Sequence, residues 1–223
     1  MPLFICATPI GNLEDVSLRL LRTLKEADLI LAEDTRRARK LLSHYDIHTK
    51  LTSFHEYSEI RKLQPVLALL KEGKSIALVT DAGTPCVADP GARLVNAAYR
   101  EGIDVVPIPG PSAVITALSV SGIPMNGFSF FGFVPKKGRE AFLLRMIDSG
   151  ETAICFESPH RIKKTLYELA VLAPERGLIL CRELTKKHEE IMKGTSSEMA
   201  DCWEKRVVKG EFVLIVNRKE KKE

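Results

Sequence analysis

A chain of 223 residues that is 45% hydrophobic and 28% charged has room for one large core or two modest ones, and its balance excludes a disordered or fibrous chain. No apolar run approaches the ~20 residues that span a bilayer, and the opening Met-Pro-Leu-Phe-Ile-Cys-Ala lacks a basic segment followed by a long apolar stretch, so a cytoplasmic protein without a membrane partner is expected. The formal net charge is only +4, yet basic residues gather at Arg36-Arg37 with Arg39-Lys40, Lys136-Lys137 with Arg139, Arg161 with Lys163-Lys164, and Lys186-Lys187, which admits either a polyanionic partner or solvated helix faces.

Leu3 to Ala7 reads as a buried strand, followed by the turn Thr8-Pro9-Ile10-Gly11-Asn12 and a helix to about Ala27 with Leu18, Leu21 and Leu24 on one face. Leu29 to Ala32 is a second strand, ending at Glu33-Asp34-Thr35 before a basic helix. Leu51 to Phe54 leads through His55-Glu56 to a helix from about Ser58 to Lys71. Ser75 to Val79 is another apolar strand, and its exit, T-D-A-G-T-P-C-V-A-D-P-G (80 to 91), is too rich in Gly, Pro and Asp to be ordinary packing. A helix over Ala92 to Arg100, a strand at Val105 to Ile108 and the turn Pro109-Gly110-Pro111-Ser112-Ala113 follow, then an apolar helix to about Ser121. This alternation predicts an α/β domain with a largely parallel sheet.

The pattern changes near Ile123-Pro124-Met125-Asn126-Gly127, so the reading is an N-terminal α/β domain over 1–122 and a C-terminal α+β domain over 123–223. The second half holds the aromatic run Phe128 to Phe133, a helix near Glu140 to Ile147, a strand at Thr152 to Phe156, a helix over Pro159 to Leu172 and a strand at Leu178 to Arg182. Glu189 to Lys193 and Phe212 to Val216 complete a mixed sheet with antiparallel pairing. The terminal Arg-Lys-Glu-Lys-Lys-Glu reads as a solubilising tail.

Five cysteines form no C-x-x-C pair and mostly sit in apolar runs, so free thiols are expected. Five histidines form no H-E-x-x-H and none is spaced for zinc, so no metal is expected. No G-x-G-x-x-G follows the first strand, no P-loop is present, and no G-x-S-x-G supplies a nucleophile elbow. Rossmann, nucleotide triphosphatase and serine hydrolase readings all lose their signatures.

If the strands are parallel, the loops Thr8 to Asn12, Glu33 to Arg36, Asp81 to Pro85 and Pro109 to Ala113 converge on one sheet edge, where open α/β sheets bind ligands. Their glycines suit close approach of backbone to a ligand or an ordinary tight turn. Six carboxylates sit at strand ends or turns: Glu33, Asp34, Glu56, Asp81, Asp89 and Glu157. Any of them suits acid–base work, while Asp34 and Asp89 equally suit capping of the helices that follow them. His55 is a proton acceptor of the right pKa class or an unremarkable loop histidine.

The motifs A-T-P-I-G-N (7 to 12), A-E-D-T-R (32 to 36), S-F-H-E (53 to 56), V-T-D-A-G-T-P (79 to 85), A-D-P-G (88 to 91), P-G-P-S-A (109 to 113), F-E-S-P-H-R (156 to 161) and R-E-L-T-K-K-H-E-E (182 to 190) occur in this order. Together they resemble the ribosomal RNA branch of the tetrapyrrole methylase superfamily, over nearly the whole chain. The resemblance implies a two-domain, non-Rossmann methyltransferase that binds S-adenosylmethionine in the cleft between domains and acts as a homodimer. It would methylate the ribose 2′-hydroxyl of a cytidine in the decoding region of 16S rRNA, in the small ribosomal subunit. Where tetrapyrrole methylases often carry G-x-G-P-G-D after the first strand, this chain has Ala7 to Asn12, a departure that favours the RNA branch.

By motif, the resemblance places cofactor contacts at Pro9, Ile10, Ala82, Gly83, Thr84, Val87, Ser112, Ala113, Glu157, Ser158, Gly210 and Glu211. It leaves the general base open among Glu33, Asp81, His55 and Glu56. Arg36, Arg37, Lys136, Lys137 and Arg139 would hold RNA phosphates. Phe128, Phe130, Phe131 and Phe133 suit either base stacking or core packing. The rival readings are a methyltransferase acting on a corrinoid or sirohaem precursor, and a non-catalytic RNA-binding assembly factor.

Overall fold

The computed structural model describes residues 1–218; residues 219–223, where most of the expected tail falls, and the side chain of Glu56 lie outside the described residues. The chain divides into two compact units, Met1–Ser112 and a second beginning at Ala113. The sequence suggested the division at 122/123. The difference is the helix Ala113–Ser119, which contacts the last strand of the second unit.

In the first unit, strands β1 (Leu3–Cys6), β2 (Leu29–Ala32), β3 (Leu51–Ser53), β4 (Ile76–Val79) and β5 (Val105–Ile108) form a wholly parallel sheet in the order β3-β2-β4-β1-β5. The register sets Cys6 beside Val79 and Ile108, and Ala32 beside Val79 and Ser53, so all five strands end at one edge.

β2 and β4 are buried at every residue, as continuous apolar runs covered on both faces must be. Alternate side chains point to opposite faces. Ile30, Ala32, Ala77 and Val79 pack with Leu20 and Leu24 of α1 (Leu18–Glu26) and with Leu41 and Leu42 of α2 (Thr35–His44). Leu29, Leu31, Ile76 and Leu78 pack with Val66, Leu67 and Leu70 of α3 (Glu56–Lys71) and with Leu94 and Ala98 of α4 (Ala92–Arg100). A short 3-10 turn at Leu13–Asp15, bonded to Asn12, precedes α1, whose N-cap is Ser17.

The second unit holds α5 (Ala113–Ser119), β6 (Phe128–Phe133), α6 (Arg139–Ile147), β7 (Thr152–Glu157), α7 (Ile162–Leu172), β8 (Gly177–Arg182), β9 (Glu190–Thr195), α8 (Ser196–Glu204) and β10 (Phe212–Val216). Its sheet runs β6-β7-β10-β8-β9, with β6 parallel to β7 and every other pair antiparallel, the mixed sheet expected from the sequence. Trp203, Phe212, Leu166, Leu180 and Leu214 anchor its core. Of the aromatic run in β6, Phe131 packs on that core and edge-on to Phe142, Phe130 and Phe133 lie edge-on to Phe156, and Phe128 and Phe133 are exposed. All five cysteines are free thiols, and burial pushes Cys6 up to about 12. Among the described residues no helix is long and apolar enough to cross a membrane.

Candidate functional site

The parallel register delivers the exits of β1, β2, β4 and β5 to one edge of the first sheet, and hydrogen bonds join them there. Thr8 and Gly83 exchange two backbone bonds, Thr8 N–H to Gly83 O at 2.9 Å and Gly83 N–H to Thr8 O at 3.0 Å. Thr8 Oγ1 also donates to Thr80 O at 3.3 Å, and Thr84 Oγ1 donates to Pro111 O, likewise at 3.3 Å. A Cβ on Gly110 would stand 3.1 Å from both Ala7 Cβ and Ala7 O, so the β5 exit rests on the β1 exit with backbone alone. Pro9, Ile10, Ala82, Gly83, Thr84 and Ser112 are thereby drawn into one group of loops. Ile10 is buried against Gly83 and Val87 is exposed.

The carboxylates of this edge have distinct partners. Asp34 caps α2, accepting from Arg36 N–H at 2.8 Å and from the Arg36 guanidinium at 2.6 Å, so the guanidinium and the amide hold it well below the usual carboxylate range. Asp81 accepts from Asp34 N–H at 3.0 Å and lies 3.4 Å from Arg37 Nη1, yet burial pushes its pKa up. Glu33 Oε2 accepts from Thr80 Oγ1 at 2.9 Å.

Asp89 is not the cap of α4. Gly91 holds that position, with φ +124° and no side-chain cap bond. Burial first, and the nearby Glu33 charge second, push Asp89 up to about 6. A Cβ on Gly91 would meet Leu78 Cδ2 at 2.5 Å and Cys86 Sγ at 2.7 Å, which ties the loop's path to that glycine.

His55 is the N-cap of α3, where its N–H donates to Ser58 Oγ at 3.0 Å and its ring stands edge-on to Tyr57. Glu56 is the first residue of α3. Both lie just past the end of β3, on the same sheet edge.

In the second unit the motif residues fall into two groups. Glu157 is fully buried, 3.1 Å from Arg161 and 3.5 Å from Arg139, and accepts from Thr165 Oγ1 at 2.6 Å and from Ser158 N–H at 2.7 Å. Its carboxylate is turned inward to these partners. Arg139 is also turned inward, which corrects the expectation that it holds an RNA phosphate. Its side chain is 8% exposed and bonded to Glu168, Thr165 and Glu157, which leaves it no free face for a phosphate. Gly210 and Glu211 form the other group, with Glu211 N–H on Glu183 Oε1 at 2.9 Å and Lys186 Nζ 2.8 Å from both Glu183 and Glu211.

Of the remaining cations named from the sequence, Arg36 is paired with Asp34, Arg37 faces Asp81, and Lys136 and Lys137 are exposed. Among the described residues no group of three His, Cys, Asp or Glu side chains is placed to hold a metal ion. Sequence reasoning missed Thr80, whose signal was a hydroxyl next to Asp81 at a strand exit and which donates to Glu33.

Residues 2–200 match the family described as Tetrapyrrole (Corrin/Porphyrin) Methylases. The chain is 50% identical over 216 residues to the ribosomal RNA small subunit methyltransferase I of Halalkalibacterium halodurans, covering 96% of this chain and 75% of that one. It is 44% identical over 219 residues to the protein of the same name from Thermotoga maritima, covering 98% and 99%. Among solved structures, the uroporphyrin-III-C-methyltransferase from Thermus thermophilus aligns with a TM-score of 0.67 at 21% identity, over 97% of this chain and 94% of that one, a likeness of fold. With the motifs in order, a parallel unit followed by a mixed one, and these relatives, the chain belongs to the tetrapyrrole (corrin/porphyrin) methylase family.

Proposed function

We propose that this chain is an S-adenosylmethionine-dependent methyltransferase that 2′-O-methylates the ribose of a cytidine in the decoding region of 16S rRNA, working in the cytoplasm as a homodimer. The observation that carries the reading is the 50% and 44% identity, nearly end to end, to two proteins named ribosomal RNA small subunit methyltransferase I.

The first unit's sheet edge has the chemistry to hold such a donor. Its loops meet through small residues and backbone, as the close seat of Gly110 on Ala7 requires, and they offer amide N–H and C=O groups with the Thr84 and Ser112 hydroxyls. Pro9, Ile10, Ala82, Gly83, Thr84, Val87 and Ser112 would hold it there; Ala113, Glu157, Ser158, Gly210 and Glu211 stay candidates for the same cofactor by motif. When bound, S-adenosylmethionine supplies an electrophilic methyl group.

The chain's own tasks are then to align the ribose oxygen and to take its proton, because a neutral hydroxyl is a poor nucleophile. Exposed Lys136 and Lys137, with Arg36 and Arg37 at the start of α2, supply cations for RNA phosphates.

The test is incubation of the purified protein with labelled S-adenosylmethionine and unmodified small ribosomal subunits, followed by mass mapping of 16S rRNA. A single 2′-O-methylcytidine in the decoding region is expected. Transfer to a corrinoid precursor instead would replace this reading with the tetrapyrrole one. No heat of S-adenosylmethionine binding in calorimetry would replace it with an assembly factor.

A further inference from the structure

Phe133 lies on the opposite face of its sheet from the one its place in the sequence predicts. Alternate side chains of a strand share a face, so Phe131, which packs on the second unit's core, should have Phe133 beside it. The register with β7 shifts between them: Phe130 sits opposite Ile154, and Phe133 opposite Phe156. Three steps along β6 thus match two along β7, a bulge of one extra residue, which is rare between parallel strands. Its effect is to give the core position to Val134, 1% exposed, and to turn Phe133 to the other face, 56% exposed.

The bulge is built into the backbone. Gly132 has φ +71°, in the left-handed region, while a Cβ there would meet nothing within 4 Å, so the glycine serves the conformation and not the space. Just past it, Val134 N–H donates to Phe156 O at 3.1 Å, and Val134 O accepts from Arg161 Nη1 at 2.8 Å. The segment is therefore pinned to β7 and to the start of α7. Bulges that re-aim a side chain in this way cluster beside ligand sites.

The ring that results is braced and open. Phe133 stands edge-on to Phe156 with centroids 5.2 Å apart, and Phe156 stands edge-on to Phe130 at 4.9 Å. A phenyl ring left largely in water adds little to folding, but its fixed flat face suits a planar ligand. Lys136 and Lys137 follow closely, both exposed and in no ion pair of the described residues. Because β6 and β7 are parallel, Phe133 and these lysines leave the sheet at the same end as Glu157 and Ser158.

A braced ring beside two unpaired cations has the makings of a contact for single-stranded nucleic acid. Bases of any identity stack on the ring, and phosphates meet the cations. Duplex RNA, whose bases are stacked on one another, would meet the lysines alone.

We propose that Phe133, turned out of the core by the Gly132 bulge, is a stacking platform for an unpaired base of the RNA substrate, with Lys136 and Lys137 on the flanking phosphates; the assignment rests on the rRNA methyltransferase reading given above.

The test compares wild type with Phe133→Ala, Phe133→Leu, Phe133→Tyr and Phe133→Trp on a mixed-sequence RNA of about 12 nucleotides, single-stranded or annealed to its complement. In anisotropy titrations with fluorescein-labelled RNA, Phe133→Ala and Phe133→Leu should each weaken single-strand binding by about tenfold. Duplex binding and the salt slope should not change, since no charge is lost. Phe133→Tyr, which keeps the ring, should stay within about twofold of wild type. Calorimetry should show S-adenosylmethionine affinity unchanged throughout. Trp203, the only tryptophan of the chain, is buried, so in Phe133→Trp the new indole reports on this position. Unlabelled single-stranded RNA should quench it and the duplex should not, a signal that does not depend on the alanine variant folding.

Single-strand affinity of Phe133→Ala within about twofold of wild type overturns the assignment, and so does a Phe133→Leu protein that binds like wild type, which would make the contact one of apolar area alone. A loss of cofactor affinity in Phe133→Ala assigns the ring to the methyl donor, and a change of oligomeric state in size-exclusion chromatography assigns it to a contact between copies; either overturns the proposal. If the RNA results hold but wild type methylates no small subunit, the stacking contact stands and the methyltransferase reading fails. If wild type methylates and Phe133→Ala binds RNA unchanged, the reading stands and the stacking contact fails.

Discussion

Arg139 Nη1 stands 3.5 Å from Glu157 Oε2 in the interior of the second unit, with one side chain 8% exposed and the other fully buried. Arg139 Nη2 also donates to Thr165 Oγ1 at 2.7 Å, and Thr165 Oγ1 to Glu157 at 2.6 Å, so the three side chains form one closed network between α6, β7 and α7. Arg139→Ala removes one cation and leaves the buried carboxylate with Arg161, the Thr165 hydroxyl and the Ser158 amide. The unit should lose about 3 kcal/mol of stability in urea unfolding. The salt dependence of RNA binding should not change, since Arg139 presents no charge to a phosphate.

Lys136 and Lys137 behave in the opposite way. Both are exposed and take no part in the ion pairs of the described residues. The double change Lys136→Ala with Lys137→Ala should leave unfolding unaffected and weaken binding of different RNA sequences about equally. In fluorescence anisotropy titrations, the slope of log affinity against log salt should flatten by about 2, one per lost phosphate contact. An unchanged slope removes this pair from the RNA surface.

The Asp89 carboxyl gives a pH signature in stability that needs no substrate. Its folded pKa of about 6 lies above the ordinary value of 3.8, so ionising it costs the folded state more than the unfolded one. That cost is absent below about pH 4, grows as pH rises toward 6, and is complete above it. Asp89→Asn should therefore stabilise the protein at pH 8 and have little effect at pH 4. After allowance for solvent around a half-buried group, the gain is on the order of 1 kcal/mol, measured by denaturant midpoints at the two pH values.

Gly91 offers a prediction of steric origin. Its φ of +124° is open to few side chains, and a Cβ there would lie 2.5 Å from Leu78 Cδ2. Gly91→Ala should destabilise the first unit by about 3 kcal/mol in denaturant unfolding. The neighbouring Ala92→Gly, a helix position without that constraint, should cost about 1 kcal/mol or less.

The parallel sheet was legible in the sequence because fully buried strands are continuous apolar runs, as Leu29 to Ala32 and Ile76 to Val79 are, and because helices alternate with them. The strand-exit loops were legible from their Gly, Pro and Asp content. Helix α8 escaped notice although Thr195-Ser196-Ser197-Glu198 spells a capping box, with Thr195 and Glu198 bonded reciprocally. Its apolar face is short and its first turn polar.

The roles of individual side chains were harder to read. Arg139 follows Lys136-Lys137 in sequence and shares their charge, but α6 begins at Arg139 and turns it inward to Glu168 and Glu157. Asp89 precedes a helix by a few residues and so resembles a cap, until Gly91 takes the cap position. For Arg139 the deciding partner, Glu157, comes from a different element, β7, and spacing along the chain carries no trace of it.

The order β3-β2-β4-β1-β5 also bears on how the protein is made. β1 is complete by Cys6, yet its two neighbours are β4 and β5, at Ile76–Val79 and Val105–Ile108. Pairing between segments so far apart in sequence is slow to form, and during synthesis the first strand has no partner until most of its unit has left the ribosome. For that interval Leu3-Phe4-Ile5-Cys6 is an unsatisfied apolar edge. Its burial waits on β4 and β5, so the sheet closes last around β1, although β1 comes first in the unit.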